Sequence, residues 1–224
     1  MVGRALKTPK LRANPTLKDG RASWRTTHGS WAEPLPSAGA STAGIRRLTA
    51  GDWQQLKAVR LEMLADTPMA YIESLDAARR QTDAQWQERA KAMSGDGSVT
   101  LIAEENNPAR RIRGLMRVAL THPQKVGNSL HAVLISVYVA PEYRGLGLAD
   151  ELLVACCDAA AHDLGAHVLE LGVHEDNARA LSFYQRHGFS LTGESKPFPQ
   201  DKTKRELIME RRLTMSERNT HLGG

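Results

Sequence analysis

The chain is poor in cysteine, in aromatic residues and in long apolar runs, and each shortage removes a class of protein. Among 224 residues there are 2 cysteines, and Cys156 and Cys157 are neighbours. Adjacent thiols cannot staple distant segments, so this is no disulfide scaffold, and a reducing, cytoplasmic location is expected. Aromatics make up 5% of the chain. No apolar run approaches the roughly 18 residues that a membrane span needs, and no secretory signal is visible, so no membrane partner is expected. Neither C-x-x-C nor H-E-x-x-H occurs, and His162, His167 and His174 lack ligand spacing, so no metal site is expected. Acidic residues are scarce at one end. Residues 1–44 hold seven of the 30 basic side chains but only Asp19 and Glu33 of the 25 acidic ones, leaving 23 of each beyond. The formal charge of +5 therefore belongs to that end. A pI of about 9.4 is then no sign that the folded part binds nucleic acid.

What is present divides the chain in three. Residues 1–44 scatter Pro, Gly, Ser and Thr with no period of 2 or 3.6, and read as a disordered basic tail. The tail slightly resembles an organelle transit peptide. Residues 45–213 read as one domain, a size usual for a single fold, and 214–224 as a short C-terminal tail. Within the domain, Asp52 is placed to cap a helix whose stripe runs Trp53, Leu56, Val59, Leu61, Leu64. A second helix starts at Thr82 or Asp83 and ends before Gly95-Asp96-Gly97. Strands are expected at 98–104, 112–121, 130–139, 168–173 and 205–213, and helices at 148–164, closed by Gly165, and at 177–186. Thr192–Asp201 reads as a polar loop. This order gives an α/β fold with a mixed sheet.

The densest information lies in Val137-Tyr-Val-Ala-Pro-Glu-Tyr-Arg-Gly-Leu-Gly-Leu-Ala-Asp-Glu-Leu-Leu153. A strand ends at Pro141, a turn carries Arg144, Gly145 and Gly147, and a helical pattern begins. Glycines leave an anion free to reach backbone N–H groups, and they tolerate φ > 0. The first helical turn adds unpaired N–H groups and partial positive charge. Such a loop fits a phosphate-bearing ligand. It is no P-loop, because Leu148-Ala149 stands where Lys-Ser/Thr would follow the last glycine. Nor does it have the three glycines near a first strand of a dinucleotide fold.

Arg144-x-x-Gly147-x-Ala149 is instead similar to the R/Q-x-x-G-x-G/A motif of the GNAT superfamily of N-acetyltransferases. A second segment, Val173-His-Glu-Asp-Asn177-Ala-Arg-Ala180-Leu-Ser-Phe-Tyr184-Gln-Arg-His-Gly188-Phe189, resembles that family's V…N..A..FY...GF signature. Ile45–Trp53 resembles its first strand and the turn into its first helix. Leu64–Tyr71 with Trp86 is similar to the acceptor-side region of many bacterial members. The resemblance thus covers Ile45 to Leu213. It implies a mostly antiparallel mixed sheet with a splayed strand pair at the coenzyme A site, flanked by helices, and acetyl-CoA as co-substrate. Backbone amides of Arg144, Gly145, Leu146, Gly147, Leu148 and Ala149 would hold the pyrophosphate. Val137, Tyr138 and Val139 would run beside the pantetheine arm as an added strand does. The Asn177 side chain would contact that arm, the Val139 N–H would steady an oxyanion, and Tyr184 would protonate the departing thiolate.

Each of these residues also has a structural reading. Asn177 follows Glu175-Asp176 as a helix N-cap would. Tyr184 could be a core tyrosine and Arg144 a solvated charge. Tyr71 and Trp86 at helical spacing read as core or as the lining of an acceptor pocket. Cys156 and Cys157, inside an Ala-rich helix, read as small apolar side chains. Asp150 and Glu151 suit a helix N-terminus but oppose a nearby pyrophosphate. Many family members carry a Glu on the strand before the loop. Here that strand offers only His131 and Ser136, with Glu73, Glu104 and Glu170 elsewhere, so the base stays unassigned. The implied activity is acetyl transfer to a primary amine, on a small metabolite, a protein N-terminus or a lysine. A regulatory module that binds acyl-CoA without efficient chemistry is the alternative, and a tail-mediated nucleic-acid binder rests on charge alone. The acceptor is unidentified, and the resemblance allows a homodimer.

Overall fold

The structure is a computed structural model and describes residues 43–121 and 130–214. The expected basic tail falls outside the described residues except for Ala43 and Gly44, which already belong to a strand, and the C-terminal tail falls outside them except for Thr214. In chain order the elements are β1 (Ala43–Arg47), α1 (Trp53–Asp66), α2 (Leu75–Arg79), α3 (Asp83–Met93), β2 (Ser98–Glu105), β3 (Ile112–Leu120) and β4 (His131–Val139). Then come α4 (Leu148–His162), β5 (Val168–His174), α5 (Ala178–Arg186), β6 (Ser190–Pro197) and β7 (Arg205–Arg212). The strands form one 7-stranded sheet in the order β1-β2-β3-β4-β5-β7-β6. Every neighbouring pair is antiparallel except β4 with β5. The expected mixed, mostly antiparallel sheet is therefore observed.

Alternation along the central strands sorts side chains into two cores. Leu101, Ala103, Met116 and Val118 join α4, Tyr184 of α5 and Phe189 just beyond it on one face. Ile102, Leu115 and Tyr138 meet Leu56, Val59 and Met63 of α1 and Ala90 and Met93 of α3 on the other. Helix α4 lies close to the sheet because its inner face is small, with Cys156, Cys157, Ala159 and Ala160 buried beside Leu152 and Leu153. The structural reading of the cysteines is thus the observed one. Burial also pushes both thiols above their ordinary pKa, which keeps them protonated and inert. Trp86 is fully buried against Leu64 and Ala78, a core residue.

The structure adds to or departs from the sequence reading in three places. Asp52 is the N-cap residue of α1, but its carboxylate does not cap the helix: it turns back to accept from the Thr49 N–H at 2.7 Å and from Arg46. An arginine already beside it outcompetes the helix N–H groups. Residues 190–197 form β6, an edge strand, where much of the expected polar loop lies. Nearly every residue of β6 is exposed, so no apolar alternation marks it, and Gly193 (φ 86) sits where its register against β7 shifts. Helix α2 was not expected at all; five residues are too few to show a period, although Ser74 caps it by accepting from the Ala77 N–H.

The sheet opens where the site lies. β4 pairs with β5 only at His131↔Val168, Ala132↔Leu169 and Val133↔Glu170. Beyond that the two strands part, while β5 stays paired to β7 as far as His174. The opening coincides with a bulge in β4, where Ser136 has φ 55 and the register against β3 shifts between Leu115 and Arg117. An extra residue of this kind bends a strand and raises its twist, which turns the end of β4 away from β5.

Candidate active site

The bulge fixes which backbone groups face the gap. The Ala140 N–H donates to the Arg113 carbonyl on the β3 side at 2.8 Å, so alternation turns the peptide groups of Val139 to the opposite edge. There the Val139 carbonyl accepts from Arg144 Nε at 2.9 Å, and the Val137 carbonyl accepts from the Tyr71 hydroxyl at 2.9 Å. The Val139 N–H lies on this same edge. Tyr138 points the other way, into the α1 core, where its hydroxyl donates to Glu62 at 3.0 Å. Of these three residues, Val137 and Val139 line the gap by their main chain, and Tyr138 only supports it from behind.

The loop beyond has the geometry of an anion cradle. Gly145 and Gly147 hold φ of 79 and 88, and a Cβ at either would project into open space. Gly147 is the N-cap of α4 and offers no side-chain cap. Among the described residues no backbone acceptor takes the N–H groups of Gly145 through Asp150 outside the helix ladder, whose first bond runs from the Glu151 N–H to the Gly147 carbonyl. The side chain of Leu148 is buried in the core and that of Leu146 is half exposed, so Leu146, Leu148 and Ala149 present only their amides to the loop. The Arg144 amide, expected in the cradle, instead donates to the Pro141 carbonyl at 3.2 Å, and its guanidinium reaches back to Val139 and to Asp66. Asp150 turns sideways to His187 Nε2 at 2.8 Å, which draws its charge away from the cradle.

Two tyrosines pack on opposite faces of the sheet, Tyr184 with the α4 core and Tyr71 with the α1 core. Tyr184 on α5 is 7% exposed, edge-on to Phe183 and Phe189. Burial pushes its phenol well above the ordinary range, and Tyr71 and Cys156 nearby add to this. Tyr184 therefore keeps its proton at neutral pH. Tyr71 comes from the α1 side with Arg60 over its ring at 4.7 Å. Burial pushes Tyr71 up to about 12, Arg60 acting against and Asp66 with it. Tyr71 is partly buried and packs against the α1 and α3 side of the core. Asn177 caps α5, its Oδ1 accepting from the Ala180 N–H at 3.0 Å, which is the reading that needs no ligand.

The carboxylates considered as bases are engaged elsewhere. Glu73 accepts from Arg60 and, through both oxygens, from Arg89, each at 2.9 Å. Burial opposes its charge, but the two arginines win and hold its pKa low. Glu104 is likewise clamped by Arg46 and Arg110. His131 and Glu170 pair with each other at 2.6 Å, at the closed end of β4 and β5. The sequence reading missed Glu206. This β7 side chain lies across Gly172, so closely that a Cβ there would stand 2.3 Å from its Oε1. Gly172 belongs to the part of β5 that has left β4. Leu171 and Val173 face the α4 core, so Gly172 and Glu206 face the other side of the sheet, the side on which Tyr71 packs. Glu206 makes no ion pair among the described residues. No cluster of metal-ligating side chains occurs among them, and no helix is long and apolar enough to cross a membrane.

A family model described as Acetyltransferase (GNAT) family matches residues 60–189, more than half of the chain. The L-amino acid N-acyltransferase MnaT of Escherichia coli (strain K12) is 39% identical over 74 residues, which span 33% of this chain and 41% of that protein. A ribosomal-protein-alanine N-acetyltransferase from Brucella melitensis superposes with a TM-score of 0.58 at 25% identity, covering 76% of this chain and 99% of its own. yncA of Salmonella typhimurium, solved with its cofactor acetyl-CoA, superposes with a TM-score of 0.59 at 22% identity, covering 79% and 96%.

Proposed function

The chain belongs to the acetyltransferase (GNAT) family and is an acyltransferase, and we propose that it moves the acetyl group of acetyl-CoA directly to a primary amine. One observation carries the proposal: the parted β4 and β5 open onto a glycine loop whose N–H groups have no partner among the described residues. A pyrophosphate would take the amides of Gly145 through Ala149 with the help of the α4 dipole. The thiol arm, which carries amides, would lie along Val137 and Val139 in place of the strand that β5 no longer supplies.

The chemistry then falls to this chain's own groups. The Val139 N–H steadies the oxyanion that forms when the amine nitrogen attacks the thioester carbon. Tyr184 gives its proton to the sulfur as the C–S bond breaks. A phenol with a raised pKa is a weak acid, but a thiolate of ordinary pKa about 8.5 still gains a strong hydrogen bond from it. Glu206, on the acceptor side and free of ion pairs, takes the proton that the ammonium must lose. The buried free thiols of Cys156 and Cys157 fit a cytoplasmic, reducing setting. Calorimetric titration with acetyl-CoA, coenzyme A and ATP tests the ligand, followed by thiol release over a panel of amines. Binding of both coenzyme A forms, none of ATP, and amine-dependent thiol release are expected. Tight coenzyme binding without turnover on any amine would favour the regulatory module instead.

A further inference from the structure

The first turn of α4 carries two acids, Asp150 and Glu151, beside the amides that a diphosphate would need. With Gly147 as N-cap, Asp150 is the third helical residue. An acid or amide side chain at that place ordinarily turns back to accept from the N-cap N–H. This protein does so at two other helix starts. Gln85, third in α3, accepts from the Thr82 N–H at 2.8 Å. Asp52, third in the 3₁₀ turn Ala50–Asp52, accepts from the Thr49 N–H at 2.7 Å. At α4 the same reach would fill the glycine loop with the protein's own carboxylate. It is not made there: Gly147 takes part in no side-chain cap, and Asp150 Oδ1 lies 2.8 Å from His187 Nε2. A carboxylate only accepts, so Nε2 carries the proton. His187 is itself held firmly. Its backbone N–H donates to the Tyr184 carbonyl at 3.0 Å, at the end of α5. Its ring stands 4.7 Å from that of Phe183, and its side chain is 17% exposed against 52% for Asp150. A ring already fixed by packing loses little freedom in holding a partner. The contact also ties the start of the cradle helix to the end of the helix that carries Tyr184.

We propose that His187 is a coenzyme-positioning residue: it holds the Asp150 side chain off the glycine loop, so that the amides of Gly145 through Ala149 stay open to the diphosphate. Without it, carboxylate and diphosphate would compete for the same donors, and their like charges would repel. This inference rests on the coenzyme part of the reading above and adds a residue to it.

The test is calorimetric titration of the full chain and its variants with coenzyme A. His187→Leu should weaken binding by about tenfold, the scale of one helix cap together with a nearby like charge. His187→Gln, whose amide still donates to Asp150, should weaken it less. Asp150→Ala added to His187→Leu should restore affinity to within about twofold of the parent, a rescue that damage to the end of α5 would not show. A second arm needs no coenzyme. Hydrogen exchange of the loop amides should slow in His187→Leu, because the released carboxylate now accepts from them, and should return to the parent rate in the double variant. Unchanged affinity and exchange in His187→Leu, or a loss that Asp150→Ala does not restore, would overturn the role of His187 alone. A parent chain that binds no coenzyme A would instead strike the reading on which it rests, and the exchange arm would still decide whether His187 keeps Asp150 from the loop.

Discussion

Tyr184 and Glu206 divide the proton traffic of the proposed reaction, and they differ in how they come to the site. Tyr184 is placed by its own helix, and its spacing from Asn177 and Phe189 is visible in the chain. Tyr184→Phe removes only a hydroxyl, so acetyl-CoA affinity should hold while kcat falls by about 100-fold, the usual scale of a general acid. A steady-state comparison on one good acceptor checks this, and an unchanged kcat would make Tyr184 a packing residue. Glu206 reaches the gap only through the register of β7 on β5 and the missing Cβ of Gly172, and neither is local in sequence. Glu206→Gln should lower kcat/KM by about 100-fold near pH 7. The deficit should shrink as pH rises towards the amine's own pKa of about 10, where no base is needed. A deficit independent of pH would mean that Glu206 only positions the acceptor.

At the scale of elements, the glycine loop was legible because everything that makes it is consecutive: a β-branched strand, two positions of positive φ and an apolar helix. The cradle geometry at Gly145 and Gly147 follows that reading. The side-chain partners of Arg144 were not legible, for the opposite reason. Its partner Asp66 lies on α1, 78 residues away in sequence, and no local rule sets the one against the other. The edge strand β6 was hidden because a strand exposed on both faces carries no pattern. The support beneath the cradle is a close approach of α4 to β3 at Gly114, where a Cβ would stand 2.6 Å from Leu152 Cδ1 and 3.4 Å from Leu148 Cδ2. Gly114→Ala therefore overpacks the α4 face and should cost about 1–3 kcal/mol in denaturant unfolding. Because Leu148 opens α4 beside the loop, this substitution should also weaken acetyl-CoA binding. An unaltered unfolding midpoint would show that α4 gives way without cost.

Over the whole molecule, the α/β class and the two cores follow from alternation and helical stripes, whereas the mostly antiparallel sheet with its parted strand pair was implied by the family resemblance. The ion-pair networks that tie distant parts of the sheet together could not be read. Arg46 of β1 joins Asp52 and the β2 residue Glu104, and Glu104 also binds Arg110. Burial works against the Asp52 carboxylate, yet hydrogen bonds from Arg46 and Thr49 hold its pKa at about 2, and Glu104 and Glu73 are lowered in the same way. Depressed folded-state values stabilise fully above the ordinary carboxylate range of about 4, and that stability is lost as pH falls through them. Melting temperature should therefore be flat from pH 7 to about 5 and fall steeply towards pH 2. Asp52→Asn should lower it at pH 7 by roughly 3–10 °C and flatten the acid limb. An acid limb as steep in the variant as in the parent would remove Asp52 from this account. The central claim, direct transfer from acetyl-CoA to an amine, is tested most directly by incubating the protein with acetyl-CoA and a primary amine, then measuring free thiol and N-acetylated product together. Equal amounts of the two, both absent without the amine, are predicted; thiol released with no acetylated amine would contradict it.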